Sequence, residues 1–190
     1  MPNWCENTIV VRHEDPAMIK RAVAAFDRGE FLNEFVPVPE DLRNIVAGSV
    51  PVSEEEEHKL KEEFNRITYG YTNWYDFCVN EWGTKWDVGS ADGINDIKEN
   101  EAVFYFDSAW SPPVEFYNKL VDMGFEVDAM YHEPGMAFAG HYVNGEDDYY
   151  EYGGMSAENI ANELPLELDE AFSISESVAE YAENEDDEEC

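Results

Sequence analysis

Val103-Phe104-Tyr105-Phe106-Asp107-Ser108-Ala109-Trp110-Ser111-Pro112-Pro113-Val114-Glu115-Phe116-Tyr117-Asn118-Lys119-Leu120-Val121-Asp122-Met123-Gly124-Phe125-Glu126-Val127-Asp128-Ala129-Met130-Tyr131 passes from period two to helical period and back to period two. That pattern predicts a strand, a helix and a strand. Residues 103–106 are β-branched and aromatic, as suits a strand. Ser111 is placed to cap a helix whose first turn takes Pro112 and Pro113, since the N–H that proline lacks has no partner there anyway. Gly124 stands where a left-handed residue ends a helix. Phe125, Val127, Ala129 and Tyr131 then share one face of the second strand, with Glu126 and Asp128 on the other. A right-handed βαβ unit follows.

Upstream, residues 8–12 form a first β-rich run. Asp15 precedes Pro16, and Ile19, Ala22, Val23 and Phe26 recur at helical spacing before Gly29. The prolines at 37 and 39 make residues 35–39 an extended edge or loop, because each removes a ladder donor. Ser53 and Glu56 have capping-box spacing, ahead of Leu60, Phe64 and Ile67 on one helical face. Glu55 with Lys59, Glu57 with Lys61 and Glu62 with Arg66 are i, i+4 pairs on its wet side. Asn73 is placed to cap a short helix carrying Trp74, Phe77, Cys78 and Trp82, and residues 82–88 read as the second strand. Beyond Tyr131, Met136, Phe138, Gly140 and Tyr142 share a face of a further edge strand.

The count is β-α-β-β-α-β, so the expected class is α+β: a ferredoxin-like split βαβ sandwich with an antiparallel sheet and an added edge hairpin. The domain is expected over residues 1–145, with a helical insertion at about residues 40–82. An acidic, partly helical C-terminal extension follows over 146–182, with a cap at Ser156 and a last helix over 169–182. The run 183–190 reads as a disordered acidic tail.

A set of marks carries a resemblance. Pro2, Asn3, Trp4 and Cys5 with Asn7, Phe35 with Pro37 and Pro39, Trp82 to Asp87, Ala109 to Pro113, and Tyr131, His132 and Glu133 with Gly135, Phe138 and Gly140 together resemble the Api92-like, ferredoxin-domain family, which includes the plasmid YubB proteins. The resemblance spans roughly residues 1–145. It implies a ferredoxin-like fold and an origin in phages, plasmids or integrative elements, and it carries over no catalytic residue.

Charge is the other strong signal. The 190 residues hold 44 acidic and 11 basic side chains, a formal net charge of −33. Residues 1–119 hold 23 acidic and all 11 basic ones; residues 120–190 hold 21 acidic and none basic, so Lys119 is the last cation. Such a surface repels nucleic acid and anionic membranes and attracts basic protein faces. Hydrophobic residues at 44% and aromatic residues at 14% imply a packed globular core rather than a solvated chain.

Motifs for chemistry are sparse. Cys5, Cys78 and Cys190 lack metal or redox spacing and are odd in number, which fits a reducing compartment. No basic-apolar leader and no apolar run of membrane length occur, so a cytoplasmic location in a host cell is expected. Asp92, Ile94 and Asp96 miss the EF-hand pattern, and His13, His58, His132 and His141 show no ligand spacing. No cofactor and no metal are expected, and Cys78 reads as a buried thiol. Trp4, Trp82, Trp86 and Trp110 read as core, since Lys85 is the only basic residue near any of them and a base-stacking platform needs a positive groove.

Duplex DNA carries a negative charge per about 1.7 Å, so a net charge of −33 matches about 56 Å of duplex on a body roughly 40 Å across. The reading that follows is a non-enzymatic inhibitor that imitates DNA and occupies a basic, DNA-binding host protein such as a restriction, CRISPR or other defence nuclease. The phosphate surrogates are expected to be Glu146, Asp147, Asp148, Glu151, Glu158, Glu163, Glu167, Asp169, Glu170, Glu176 and Glu180. The alternatives are an acidic interaction module without mimicry, and a small hydrolase or nucleotide-binding protein with a site near Lys85, Trp86 and His132.

Overall fold

The structure, a computed structural model, describes residues 3–188. In chain order its elements are β1 (Trp4–Arg12), α1 (Pro16–Asp27), α2 (Phe31–Phe35), α3 (Glu40–Arg43), α4 (Glu55–Tyr69), α5 (Trp74–Glu81), β2 (Ile94–Ile97), β3 (Glu101–Ala109), α6 (Val114–Asp122), β4 (Glu126–Glu133), β5 (Phe138–Val143), β6 (Glu146–Glu151), α7 (Ala157–Glu163), α8 (Leu166–Phe172) and α9 (Ile174–Glu188). Of the expected tail, residues 183–188 continue α9 and residues 189–190 lie outside the described residues.

The class is α+β, with one antiparallel sheet in the order β2-β3-β1-β4-β5-β6. β3 and β4 each pair antiparallel with β1 and so run parallel to one another, with α6 crossing between them. The alternation read at 125–131 holds: Phe125, Val127, Ala129 and Tyr131 are buried. Those positions join Cys5, Asn7, Ile9 and Val11 of β1 and Ala102 and Phe104 of β3 on one face, covered mainly by α1, α2 and α6. Phe26 stacks on Phe104 at 4.4 Å, and Phe31 joins them edge-on, so the centre of this layer is aromatic.

Local capping follows the sequence in several places. The Asp15 carboxylate accepts from Ala17 N at 2.9 Å ahead of Pro16. Asn73 accepts from Tyr75 and Asp76 N, and Ser156 accepts from Asn159 N. Gly124 has φ +91, where a side chain would strain the turn that ends α6.

Other expectations are corrected. Ser111 does not cap α6; its hydroxyl donates to Gly83 O at 2.6 Å, and the helix opens after Pro113. Residues 82–88 are not a strand, because this segment is held instead by side chains. Thr84 Oγ1 donates to Ala109 O, and the Asp87 carboxylate accepts from Leu32, Asn33 and Val88 N. The second strand is β2, paired with β3 through a register shift near Asn95. Phe35 ends a short helix, and only the residues after it are extended.

Ser53 and Glu56 form no capping box, since a 3-10 turn over Val52–Glu54 leads directly into α4. Leu60, Phe64 and Ile67 face outward at 72%, 56% and 74% exposure. The helix is pinned from its other side, where buried Asn65 donates to Asp41 O and Thr72 O. Lys59 and Lys61 pair with Glu55 and Glu57 as expected, but Arg66 takes Glu63 and Glu62 approaches His58 at 3.5 Å.

The change of composition after Gly145 coincides with no break in the sheet. Asn144 and Gly145 both have positive φ and form the two-residue turn of a hairpin, and Glu146–Glu151 pairs with β5 as β6. α7, α8 and α9 then fold onto the second face of the sheet, where Ile160, Leu164, Leu168 and Ile174 pack with Ala139, Met130 and Tyr150. The single helix expected over 169–182 is broken at Ser173, which is left-handed at φ +51.

Asp169 is buried at this break and accepts from Ser175 N at 2.7 Å and Ser175 Oγ at 2.6 Å, fastening the start of α9. Asp169→Ala is expected to lose about 1–2 kcal/mol, the cost of an unanswered helix-start donor. Exposed Glu170→Gln should stay within about 0.5 kcal/mol of the parent. Urea midpoints of the two variants check the contrast.

Candidate functional site

The carboxylates singled out from the sequence lie on β6, α7, α8 and α9. Ten of the eleven are exposed: Glu146, Asp147, Asp148 and Glu151 on the edge strand, Glu158 and Glu163 on α7, Glu167 and Glu170 on α8, and Glu176 and Glu180 on α9. Asp169 is the exception and serves the fold. Asp147 is tied down as well, accepting from Tyr131 Oη at 2.8 Å, and partial burial raises its pKa. Most of the basic residues are committed elsewhere. Arg12, Arg21, Arg28, Lys59, Lys61, Arg66, Lys98 and Lys119 each pair with a carboxylate that lies before residue 120.

Lys85 and Trp86 stand side by side in the segment ahead of β2, whereas His132 lies on β4. The Lys85 ammonium sits 4.8 Å from the centre of the Trp86 ring and 5.0 Å from that of Trp110. Trp82 is buried, as expected, and donates Nε1–H to Val36 O. Trp4, Trp86 and Trp110 correct the core expectation. They are 46%, 40% and 41% exposed and form a surface chain, Trp4 to Trp86 at 6.0 Å and Trp86 to Trp110 at 6.5 Å. Trp110 reaches that position because its backbone is left-handed at φ +69 and its N–H bonds Asn3 O.

The Trp4 and Trp86 rings of this chain form one bank of a groove of about 780 Å³. The C-terminal helices pack on the second face of the sheet mainly over β4 to β6, and Trp4 and Glu6 of β1 and Tyr105 and Asp107 of β3 stay exposed between the Trp86 segment and the end of α8 at Phe172. Register defines the floor. Trp4 lies opposite Ala109, Glu6 opposite Asp107 and Thr8 opposite Tyr105. Burial raises the Glu6 pKa, and the Asp107 charge raises it further. Glu6, Thr8, Tyr105 and Asp107 were not singled out from the sequence. Starting β1 at Trp4 rather than residue 8 would have set Trp4, Glu6 and Thr8 on one face by alternation alone.

Glu6 also faces His132, its register partner on β4, at 4.0 Å. His132 Nε2 shares a 2.6 Å hydrogen bond with Tyr152 Oη, while the buried Nδ1, the atom nearest Glu6, makes no hydrogen bond. His132, Tyr152 and Phe172 line a second hollow of about 420 Å³ under α9, separate from the one that Lys85 and Trp86 share. The neighbouring Glu133 is structural, accepting from Gly135 and Met136 N in the β4–β5 turn.

Burial lowers the His132 pKa, with Glu133 opposing it more weakly. The unfolded chain therefore binds a proton that the folded chain resists, and stability falls as pH drops through and below the ordinary value of 6.5. His132→Gln should remove up to one proton from that dependence, at most about 1.4 kcal/mol per pH unit. Subtracting urea-unfolding curves of parent and variant between about pH 7 and 5 isolates the effect.

Thiol chemistry is not favoured. Burial pushes the Cys78 thiol up to about 12 and raises that of Cys5 further, leaving both protonated near neutrality. Among the described residues no three His, Cys, Asp or Glu side chains gather as metal ligands, and no helix is long and apolar enough to cross a membrane.

No family model and no curated protein match the chain. Among solved structures, the chain is similar to the protein Api92 from Yersinia pseudotuberculosis, at 14% identity and a TM-score of 0.41, over 81% of this chain and 99% of that one.

Proposed function

We propose that this is a non-enzymatic acidic protein of a phage or plasmid, built on a ferredoxin-like domain, that inhibits a basic, DNA-binding host protein by occupying its DNA site. One observation carries the reading: the carboxylates of β6 and α7–α9 are exposed almost without exception, in a part of the chain that holds no lysine or arginine. A surface of this kind steers basic partners and answers a groove built for phosphates. The strand order β2-β3-β1-β4 with α6 crossing over β1 supports the ferredoxin-like plan. The motifs at Trp4, Trp82–Asp87 and Trp110–Pro113 support the mobile-element origin.

Immobilised protein exposed to bacterial lysate tests this. At about 50 mM salt it should retain proteins that bind duplex DNA when assayed separately, and at about 1 M salt, where charges are screened beyond ~3 Å, it should release them. Retention that ignores salt, or retained proteins that do not bind DNA, would remove the proposal's support.

A further inference from the structure

We infer that the groove over β1 and β3 is a binding site for an arginine side chain presented by a partner polypeptide. It is distinct from the carboxylates of β6–α9 and does not rest on mimicry, since a partner without a DNA site would fit it equally well.

The floor supplies the charge. Glu6 and Asp107 stand directly opposite each other on adjacent antiparallel strands, a placement in which like charges repel at close range. A cation set between them relieves that repulsion. Among the described residues no lysine or arginine lines the groove to serve as that cation. The row continues to His132 on β4, whose Nδ1 lies 4.0 Å from the Glu6 carboxylate without a hydrogen bond; the ring is 7% exposed and burial lowers its pKa, so near neutral pH it is not the cation that Glu6 needs.

The banks supply flat surfaces. Trp4 and Trp86 are tilted 41° to one another at 6.0 Å, and Tyr105 rises from the floor on the other side of the Glu6 and Asp107 pair, its hydroxyl accepting from Asn95 Nδ2. Indole faces attract cations, and this cluster already holds one: Lys85 lies over Trp86 and Trp110 on the side away from the groove. Arginine fits better than lysine. A planar guanidinium stacks on a ring while its fork reaches two carboxylates, and an ammonium does neither as well. The carboxylate floor also excludes phosphate, so the exposed rings do not form a nucleic-acid platform.

The probes are three capped pentapeptides, Gly-Ser-X-Ser-Gly, with arginine, lysine or the neutral isostere citrulline at X, titrated into the full chain. Indole N–H resonances of Trp4 and Trp86 report the groove, and those of Trp74 and buried Trp82 serve as internal references. The arginine peptide should shift the Trp4 and Trp86 signals, lysine should bind more weakly, and citrulline should leave them in place. Glu6→Gln with Asp107→Asn should weaken the arginine peptide by about tenfold or more. A second variant with Glu163→Gln, Glu167→Gln and Glu170→Gln on α7 and α8 should leave its affinity within about twofold.

Because both variants change exposed side chains, unchanged circular dichroism is expected, and the citrulline comparison needs no variant. The inference is overturned if the arginine peptide moves no groove indole, if citrulline or lysine binds as tightly, if the Glu6/Asp107 variant binds unchanged, or if an oligothymidine shifts the same indoles.

Discussion

Gly89→Ala is expected to lose about 3–5 kcal/mol, a large part of the roughly 5–15 kcal/mol that holds a domain of this size together. Gly89 has φ +125, a region closed to side chains, and a Cβ there would stand 2.4 Å from Phe26 O and 3.0 Å from Phe26 Cα. Backbone of that kind costs about 1–3 kcal/mol, and the contact is with the main chain of α1, which cannot swing aside. Phe26 is the ring stacked on Phe104, so any shift of α1 spreads into the aromatic centre. Gly48→Ala isolates the first contribution, because Gly48 has φ +143 but nothing within 4 Å of a Cβ. The melting temperature of Gly89→Ala should fall by about 6–20 °C and that of Gly48→Ala by clearly less. Equal losses would show that the α1 contact is not rigid.

Neutralising Glu158, Glu163, Glu167, Glu170 and Glu176 to glutamine should slow association with a basic partner by about 100-fold at low salt, because a focused field of one sign raises encounter rates by 10- to 1,000-fold. All five are exposed on α7, α8 or α9, outside the apolar seam made by Ile160, Leu164, Leu168 and Ile174. The melting temperature should hold or rise, since five like charges leave a chain of net charge −33. The dissociation rate should change less, and at about 1 M salt the two association rates should converge. Stopped-flow mixing with the captured partner at several salt concentrations reads all of this. An unchanged rate at low salt would mean that these helices do not face the partner.

The frame of the fold was legible because its signals are local. Alternation at residues 125–131, the caps at Asp15, Asn73 and Ser156, and the left-handed Gly124 each need only a few neighbouring residues. The misreadings share a different cause. Asn144-Gly145 is the strongest short hairpin signal in the chain, but the acidic run after it looked like a solvated extension; carboxylates are also what an edge strand uses to refuse further pairing. Residues 82–88 carry strand-like residues, yet their backbone is held by Thr84 and Asp87 bonds to segments distant in sequence. The spacing on α4 set Leu60, Phe64 and Ile67 on one face, but which side docks is fixed by buried Asn65, and spacing alone does not show that.

The groove was hidden for the same reason. Its banks come from Trp4, Trp86 and Phe172, and its floor pairs Glu6 with Asp107, so nothing in a short window brings them together. Asp169 reads as one carboxylate among many until Ser175 is seen bonded to it. The charge asymmetry around Lys119, by contrast, needed no structure. What the fold adds is that the acidic part is ordered around a small apolar core of its own and holds ten of the eleven candidate carboxylates outward.

Competition decides the central claim most directly. A DNA-binding protein captured from lysate is loaded with a fluorescently labelled duplex, and anisotropy is followed as the acidic protein is added. Occupation of the DNA site predicts that the duplex is released completely, that the apparent Kd for DNA rises in proportion to the acidic protein, and that no species contains all three. A stable ternary complex, with the duplex retained at saturating acidic protein, would contradict it.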